Sequence, residues 1–412
     1  MKPKKCIFFF GITRFDPVVE STSYTLAKEL AKNGNTVYYI EYPYTLSDKI
    51  KQSNTPEYKL RQKALLESDG IINTEISNLF IIALPTVLSI HFLPEGILYR
   101  TLLKYNEKII ATQLLRVAKK VGFEEIIYIN SFVFHYPNIA DYLKPKLCVY
   151  HCVDPVFTPY DAKHGIMSEK ILVDKSSLII CTSQQLYREK SLVHPNTHFV
   201  PNAANIAHSI KAKDESLPVH ESLKNIPPPI IGYFGNIERR IDYELVRDVA
   251  EANKNLSFVF AGPMEKHLVP NYFFEISNLH FTGRIPYNQM PNILKGFDVA
   301  IIPFKKTNES ATVFPLKLFE YLGAGKPVVA TDFNLDLKNF TDDLVAYCND
   351  SKKFLIALQE ALANHTPELQ KKRIELAKQH TWERRASEFE KIIDKQLEKE
   401  VSAYEYAENN TQ

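Results

Sequence analysis

The sequence predicts an α/β protein built from two similar domains, and three observations lead there. Apolar runs of strand length recur along the chain and alternate with helix-length amphipathic stretches, the pattern of βαβ units with parallel sheets. The alternation lapses in a polar stretch from Asn202 that ends in Pro227-Pro228-Pro229, and then restarts. The chain has 412 residues, enough for two separate cores. We expect an N-terminal domain over 1–205, a linker over 206–228, a C-terminal domain over 229–385 and a helical tail over 386–412.

The first domain opens with a strand over Cys6–Phe10 and a loop over Gly11–Val19. An amphipathic helix over Ser23–Asn33 ends at Gly34, and a second strand follows over Thr36–Glu41. Gly11 sits at the carboxyl end of the first strand, where such domains bind ligands. Tyr44–Asp69 is polar and variable, with no element assigned. Leu79–Leu84 reads as a strand. Thr86–Tyr99 is apolar for a connection and is followed by Arg100, Lys104 and Lys108. It reads either as a segment lying on a membrane surface or as a helix packed into the domain. Strands are expected over Ile126–Asn130, Leu147–His151, Leu178–Thr182 and His198–Pro201, with a helix over Ile166–Lys175.

In the second domain, strands are expected over Ile230–Phe234, Leu256–Ala261, His280–Thr282, Val299–Pro303, Val328–Thr331 and Val345–Cys348. Asp242 reads as a helix N-cap. Ser351–Glu400 is helical and charged, and Asn409–Gln412 should fray.

Composition excludes several classes. With 50 basic and 48 acidic residues, the net charge of +2 gives no electrostatic case for nucleic acid. The five cysteines, Cys6, Cys148, Cys152, Cys181 and Cys348, are scattered and complete no zinc site. They read as free thiols of a reducing compartment. The basic Met1–Lys5 precedes an apolar run too short for a secretion signal. No run is long enough to span a membrane. A cytoplasmic location follows, with contact at the inner membrane face if Thr86–Tyr99 lies on lipid.

The most informative stretch is Phe314-Pro315-Leu316-Lys317-Leu318-Phe319-Glu320-Tyr321-Leu322-Gly323-Ala324-Gly325-Lys326-Pro327-Val328-Val329. It reads as a helix with Pro315 at its first position, stopped by Gly323 and Gly325, and then a buried strand. A helix start attracts phosphate through free N–H groups and the helix dipole. Lys317 adds a full charge, and Glu320 lies nearly on the same face. A carboxylate only accepts hydrogen bonds, so it suits a vicinal diol such as ribose. Cation, helix start and carboxylate together describe a nucleotide diphosphate sugar.

This run resembles the donor-binding motif of retaining GT-B glycosyltransferases of the glycosyltransferase 4, or group 1, type. The likeness extends over nearly the whole chain and is greatest to enzymes of teichuronic acid and capsular polysaccharide synthesis. That motif carries two glutamates separated by seven residues. Glu320 matches the second; Thr312 stands in place of the first, which in the family touches the transferred sugar. The resemblance implies a GT-B fold, two Rossmann-like domains facing across a cleft, with acceptor bound by the first and donor by the second. It implies retention of anomeric configuration, no metal and no cofactor beyond the sugar nucleotide. The donor site should draw on Gly11, Gly235, Arg239 or Arg240, Arg284, Thr312, Val313, Phe314, Pro315, Leu316, Lys317 and Glu320. Only one of Arg239 and Arg240 is needed at the diphosphate.

In Val149–Asp154, His151 falls where many members carry a histidine near the reacting sugar, and Asp154 would orient it or the acceptor. A satisfied core histidine is the plain alternative. His135, His164 and His194 read as surface residues. Val200-Pro201-Asn202-Ala203 resembles the family's interdomain turn, with Asn202 shaping it. Glu20-Ser21-Thr22 departs from the Gln-Arg-Pro of near relatives. The expected function is sugar transfer from a nucleotide diphosphate sugar to a glycan or lipid-linked acceptor in surface polysaccharide synthesis. A sugar-nucleotide epimerase and a transfer-inactive binding protein are the alternatives, and Thr312 is the main support for the second.

Overall fold

The computed structural model describes residues 5–15, 21–156 and 159–409. The expectations for Met1–Lys4, for residues 16–20 including Glu20, and for the last three residues fall outside them. The chain divides into two compact units. The first is Met1–Pro201 with Arg385–Gln412, and the second is Asn202–Arg384.

The described residues of the first unit contain eight strands: β1 (Cys6–Gly11), β2 (Thr36–Ile40), β3 (Ile71–Asn73), β4 (Leu79–Ile82), β5 (Ile126–Ser131), β6 (Leu147–Cys152), β7 (Leu178–Cys181) and β8 (Thr197–Phe199). They form one sheet in the order β3-β4-β2-β1-β5-β6-β7-β8. All neighbours are parallel except β3, which runs antiparallel to β4. The central strands are apolar on both faces because helices cover both sides. The helix Trp382–Asn409 belongs to this unit from Arg385 onward. Ala386, Phe389 and Ile393 share one buried cluster with Ile7, Phe9, Ile129 and Val149. The segment 386–412, expected as a separate tail, therefore contributes to the first core.

The polar stretch Tyr44–Asp69 is also not variable. It forms helices Leu46–Gln52 and Pro56–Glu67, started by a Thr45/Asp48 capping box and by Thr55 ahead of Pro56. Arg61 of the second helix forms a two-pronged pair with Glu41 just after β2, at 2.7 Å on each arm, and both side chains are 2% exposed. The Thr86–Tyr99 segment is not one helix. Its start is irregular, with Val87 and Ile90 buried, and helix Ile97–Val121 begins only after Gly96.

The second unit holds β9 (Ile230–Phe234), β10 (Ser257–Ala261), β11 (Leu279–Gly283), β12 (Val299–Ile302), β13 (Val328–Thr331) and β14 (Val345–Cys348). All are parallel, in the order β11-β10-β9-β12-β13-β14. Asp242 caps its helix through Leu245 N, as expected. Residues 206–228, expected as a linker, form short helical segments inside this unit. Leu223 and Ala212 lie in its main core. The five cysteines are free and buried.

Candidate functional site

Strand order in the second sheet reverses between β9 and β12. In an open parallel sheet, the crevice beyond the carboxyl ends of strands at such a reversal is where ligands bind. Two glycines stand at these ends. Gly235 follows β9 and Gly262 follows β10, with φ of +143° and +148°, values that other residues rarely adopt. A Cβ on Gly262 would stand 2.1 Å from the Gly235 carbonyl oxygen. One on Gly235 would stand 2.6 Å from Lys317 Nζ. The two glycines thus leave room for an ammonium group.

Lys317 reaches this place from the first turn of helix Leu316–Gly323. Its Nζ donates to the Tyr233 hydroxyl at 2.6 Å and lies 3.9 Å from that ring's centre and 5.1 Å from that of Phe304. Among the described residues it forms no ion pair. Burial is the main reason its ammonium is pushed down to about 7; Arg240 adds to this, while Glu320 and Glu238 oppose it. An ammonium so placed gains from any anion brought to it.

The helix start has one backbone closure, Leu318 N to the Pro315 carbonyl at 3.2 Å, and no side-chain cap. Pro315 is the N-cap, one residue outside the helix where we expected it one residue inside, and no side chain caps the first turn. The N–H groups that begin a helix have no intrahelical partner. Val313 and Phe314 are buried, and Phe314 packs on the rings of Phe319 and Phe340. They therefore offer backbone, not side chains. Asn202 donates to the Phe314 carbonyl at 3.2 Å, and Asn334 to that of Val313 at 2.9 Å, which fixes the loop before the helix.

The two arginines differ. Arg239 pairs with Glu309 at 2.9 Å on the exposed side. Arg240 pairs with the buried Glu238 and lies 5.8 Å from the centre of the Phe304 ring, which Lys317 also approaches. Glu320 is 6% exposed and accepts from the Tyr287 hydroxyl at 2.7 Å. One carboxylate oxygen thus already has a donor, which the sequence reading did not anticipate. Thr312 is buried, and its hydroxyl donates to the Glu309 carbonyl at 2.6 Å, closing a local turn. Arg284 is exposed just beyond β11.

Residues expected from the first unit fare differently. Gly11 ends β1, and a Cβ there would stand 2.1 Å from the Tyr39 hydroxyl, so close packing accounts for this glycine. His151, on β6, is 2% exposed. Its Nδ1 meets Ser131 Oγ at 2.8 Å, which meets Ser23 Oγ at 2.7 Å, and its ring abuts Phe389 edge-on. Burial pushes its imidazolium down to about 3, so it is neutral. The plain alternative, a satisfied core histidine, describes this geometry. Asp154 is half-buried beyond the strand end; the group that orients His151 through Nδ1 is Ser131.

His135 and His164 are not surface residues, and His194 is half-buried with Nε2 2.9 Å from the Ser176 carbonyl. No metal ligand set was expected, yet His91, His135 and Asp161 place donor atoms within 4.8 Å of one another. Sequence reasoning also missed Tyr233, Tyr287, Glu238, Phe304 and Tyr321. The Tyr321 hydroxyl accepts from Phe234 N at 2.7 Å and donates to its carbonyl at 3.1 Å, fixing the end of β9. Aromatic residues near strand ends look like core in sequence, and only the alternation of glycines around them hinted otherwise.

Residues 228–364 match the family described as glycosyl transferases group 1. TuaH of Bacillus subtilis (strain 168), whose name assigns it to teichuronic acid biosynthesis as a glycosyltransferase, is 24% identical over 213 residues. That match covers 48% of this chain and 53% of TuaH, so the chain spans about half the length of the curated relative it matches. Solved structures agree over far more of the chain. A sucrose-phosphate synthase from Thermosynechococcus elongatus superposes with a TM-score of 0.67 at 16% identity, covering 95% of this chain and 99% of that one. An α,α-trehalose 6-phosphate synthase from Burkholderia multivorans gives 0.68 at 9% identity, covering 98% and 100%. An E. coli trehalose-6-phosphate structure, bound with UDP-2-fluoro glucose, gives 0.66 at 10% identity, covering 95% and 99%. The chain has the GT-B fold, and residues 228–364 of its second unit are similar to the glycosyl transferases group 1 family.

Proposed function

We propose that this chain transfers a sugar from a nucleotide diphosphate sugar to a glycan or lipid-linked acceptor in surface polysaccharide synthesis, with retention and with no metal in the transfer step. One observation carries the reading. Lys317, without an ion pair among the described residues and with its pKa lowered to about 7 by burial, lies beside Arg240 under a helix start with no side-chain cap at the sheet's reversal point. A diphosphate supplies the negative charge that Lys317 lacks. As the bond to the sugar breaks, charge develops on that leaving diphosphate, and preorganised donors stabilise it most at that moment. Glu320, positioned by Tyr287, then takes the ribose hydroxyls. Arg240 is the arginine of the site, and Arg239 serves the Glu309 pair. TuaH supports the polysaccharide context and an acceptor of that class. The absence of a carboxylate at Thr312 bears on which sugar is accepted.

Contact with a membrane surface fits the exposed Phe92, Ile97 and Leu98, which share the first unit with the exposed Lys104 and Lys108. No helix among the described residues is long and apolar enough to cross a membrane. Flotation with anionic vesicles should carry the chain up, and Phe92→Ser with Ile97→Ser should abolish this.

The test of the main reading is a thermal-shift screen of nucleoside diphosphates, monophosphates and sugar nucleotides. A ligand at 100 times its Kd should add about 2.7 kcal/mol of stability. Stabilisation by diphosphates only, followed by product whose anomeric configuration matches the donor, is the expected result. Stabilisation without turnover on any glycan acceptor would point to the transfer-inactive reading. No response to any diphosphate would remove Lys317 from a donor site.

A further inference from the structure

A cluster of imidazoles in the first unit has no part in the reading above. His91 lies in the loop after β4, His135 follows β5, and His164 and Asp161 lie on helix Pro159–Lys175. The His91 ring centre is 5.3 Å from that of His135 and 5.2 Å from that of His164. His135 Nε2 is 3.6 Å from Asp161 Oδ1. His135 Nδ1 and His164 Nε2 are buried with no hydrogen-bond partner among the described residues. Buried polar atoms without partners are few in folded proteins and commonly mark a missing water or ion.

The surroundings hold the cluster in place. Lys163 donates to the carbonyls of His91 and Phe92 at 3.2 and 3.0 Å, tying the loop to the helix. His164 stacks on Tyr99 with centres 3.6 Å apart, and His135 on Phe134 at 4.2 Å. His164 Nδ1 meets Glu95 at 2.7 Å, and Glu95 is gripped by Arg100 at 2.6 and 2.9 Å. A histidine held by a carboxylate at one nitrogen presents the lone pair of the other, the arrangement found around protein-bound metals.

We propose that His91, His135 and Asp161 form a binding site for one divalent transition metal ion of the zinc class, with His164 beside it. The donor atoms of all three lie within 4.8 Å of one another. Ligands at 2.0–2.2 Å from a tetrahedral ion stand roughly 3.3–3.6 Å apart, so small side-chain rotations close the set. Two imidazoles and one carboxylate suit zinc, nickel or iron; magnesium and calcium prefer all-oxygen shells. The site joins the loop after β4, the turn after β5 and helix Pro159–Lys175, so the metal acts as a clamp within this unit.

The test uses the 412-residue chain freed of any histidine tag and dialysed against chelator. Zinc(II) titrated against a chromophoric competitor should bind at one equivalent, and cobalt(II) should show the visible absorption of a low-coordinate nitrogen/oxygen site. His91→Ala and Asp161→Asn, made separately, should each weaken zinc by at least about tenfold. Zinc should raise the melting temperature of the wild type but not of the double variant, whose metal-free melting curve and circular dichroism serve as the folding control. Zinc uptake of wild-type affinity in both variants, absence of stoichiometric uptake, or displacement of zinc by millimolar magnesium would each overturn the assignment.

Discussion

Two cations in this chain, Arg61 buried and Lys317 half-buried with its ammonium against aromatic rings, are treated in opposite ways. Arg61, in the first unit, is met on both arms by Glu41 and also donates to the Glu57 carbonyl at 2.8 Å. Lys317, in the second, meets a phenol and two aromatic faces and no carboxylate within ion-pair distance among the described residues. A charge whose partners the fold itself supplies serves structure. A charge the fold leaves short of partners costs stability and is explained by something outside the chain. His151 falls on the Arg61 side of this divide, since Ser131, itself bonded to Ser23, meets its Nδ1.

The comparison is most easily broken at Arg61. Removing one partner of a buried pair leaves the other charge uncompensated, so Arg61→Ala should destabilise by about 3–5 kcal/mol in chemical denaturation. Nucleotide diphosphate affinity of the folded variant should be unchanged. A loss below about 1 kcal/mol would mean that water reaches Glu41 and that the pair is not structural.

Lys317→Met should do the reverse. Losing a charge-assisted bond to the diphosphate should cost about 1.5–3 kcal/mol of binding, roughly 10- to 150-fold by calorimetry. The melting temperature at neutral pH should stay the same or rise, because a poorly solvated ammonium is gone. A fall in stability with unchanged binding would place Lys317 with Arg61.

The pH dependence follows in sign. The folded-state value of Lys317 is about 7 against 10.5 for a free lysine. Between those values the unfolded chain holds a proton that the folded chain has released, so Lys317's contribution to stability improves as pH rises from about 7 toward 10.5. A bound diphosphate favours the ammonium and opposes this. Binding above pH 7 should therefore take up a proton, and affinity should fall as pH rises; calorimetry in buffers of different ionisation enthalpy reads the proton directly. Proton uptake that persists in Lys317→Met would assign it to another group.

These contrasts bear on what the sequence could reveal. All six strands of the second sheet were legible because each is a short run rich in β-branched or aromatic residues with a Gly, Pro, Asn or Asp at or beside at least one end. Helices Leu46–Gln52 and Pro56–Glu67 were passed over because their faces are largely polar, although Thr45/Asp48 and Thr55-Pro56 carried their start signals. The role of helix 386–409 was hidden since periodicity shows that a helix has an apolar face, not which core receives it. Lys317 and Glu320 were legible because one helix spaces them. Tyr233 and Tyr287 were not, because tertiary folding alone brings them to those groups. The same holds for His91, His135 and Asp161, separated by 44 and 26 residues in sequence.

The smallest expected effect separates Lys317 from Glu320 within the same site. Tyr287 donates to Glu320 Oε1, while its own carbonyl accepts from His208 Nε2 at 2.9 Å. Tyr287→Phe keeps the ring and the backbone contact and deletes only the hydroxyl. The carboxylate then loses the donor that fixes its angle, and ribose affinity should drop by about 0.5–1.5 kcal/mol, the net value of one hydrogen bond. Inorganic diphosphate, which has no diol, should bind the variant and the wild type alike, because Lys317 and the helix start are untouched. The preference for a ribonucleotide over its 2′-deoxy counterpart should shrink by the same margin. If instead diphosphate and ribonucleotide weaken together, Tyr287 positions the helix as a whole, and Glu320 is a structural carboxylate of the Glu41 kind rather than the group that holds the diol.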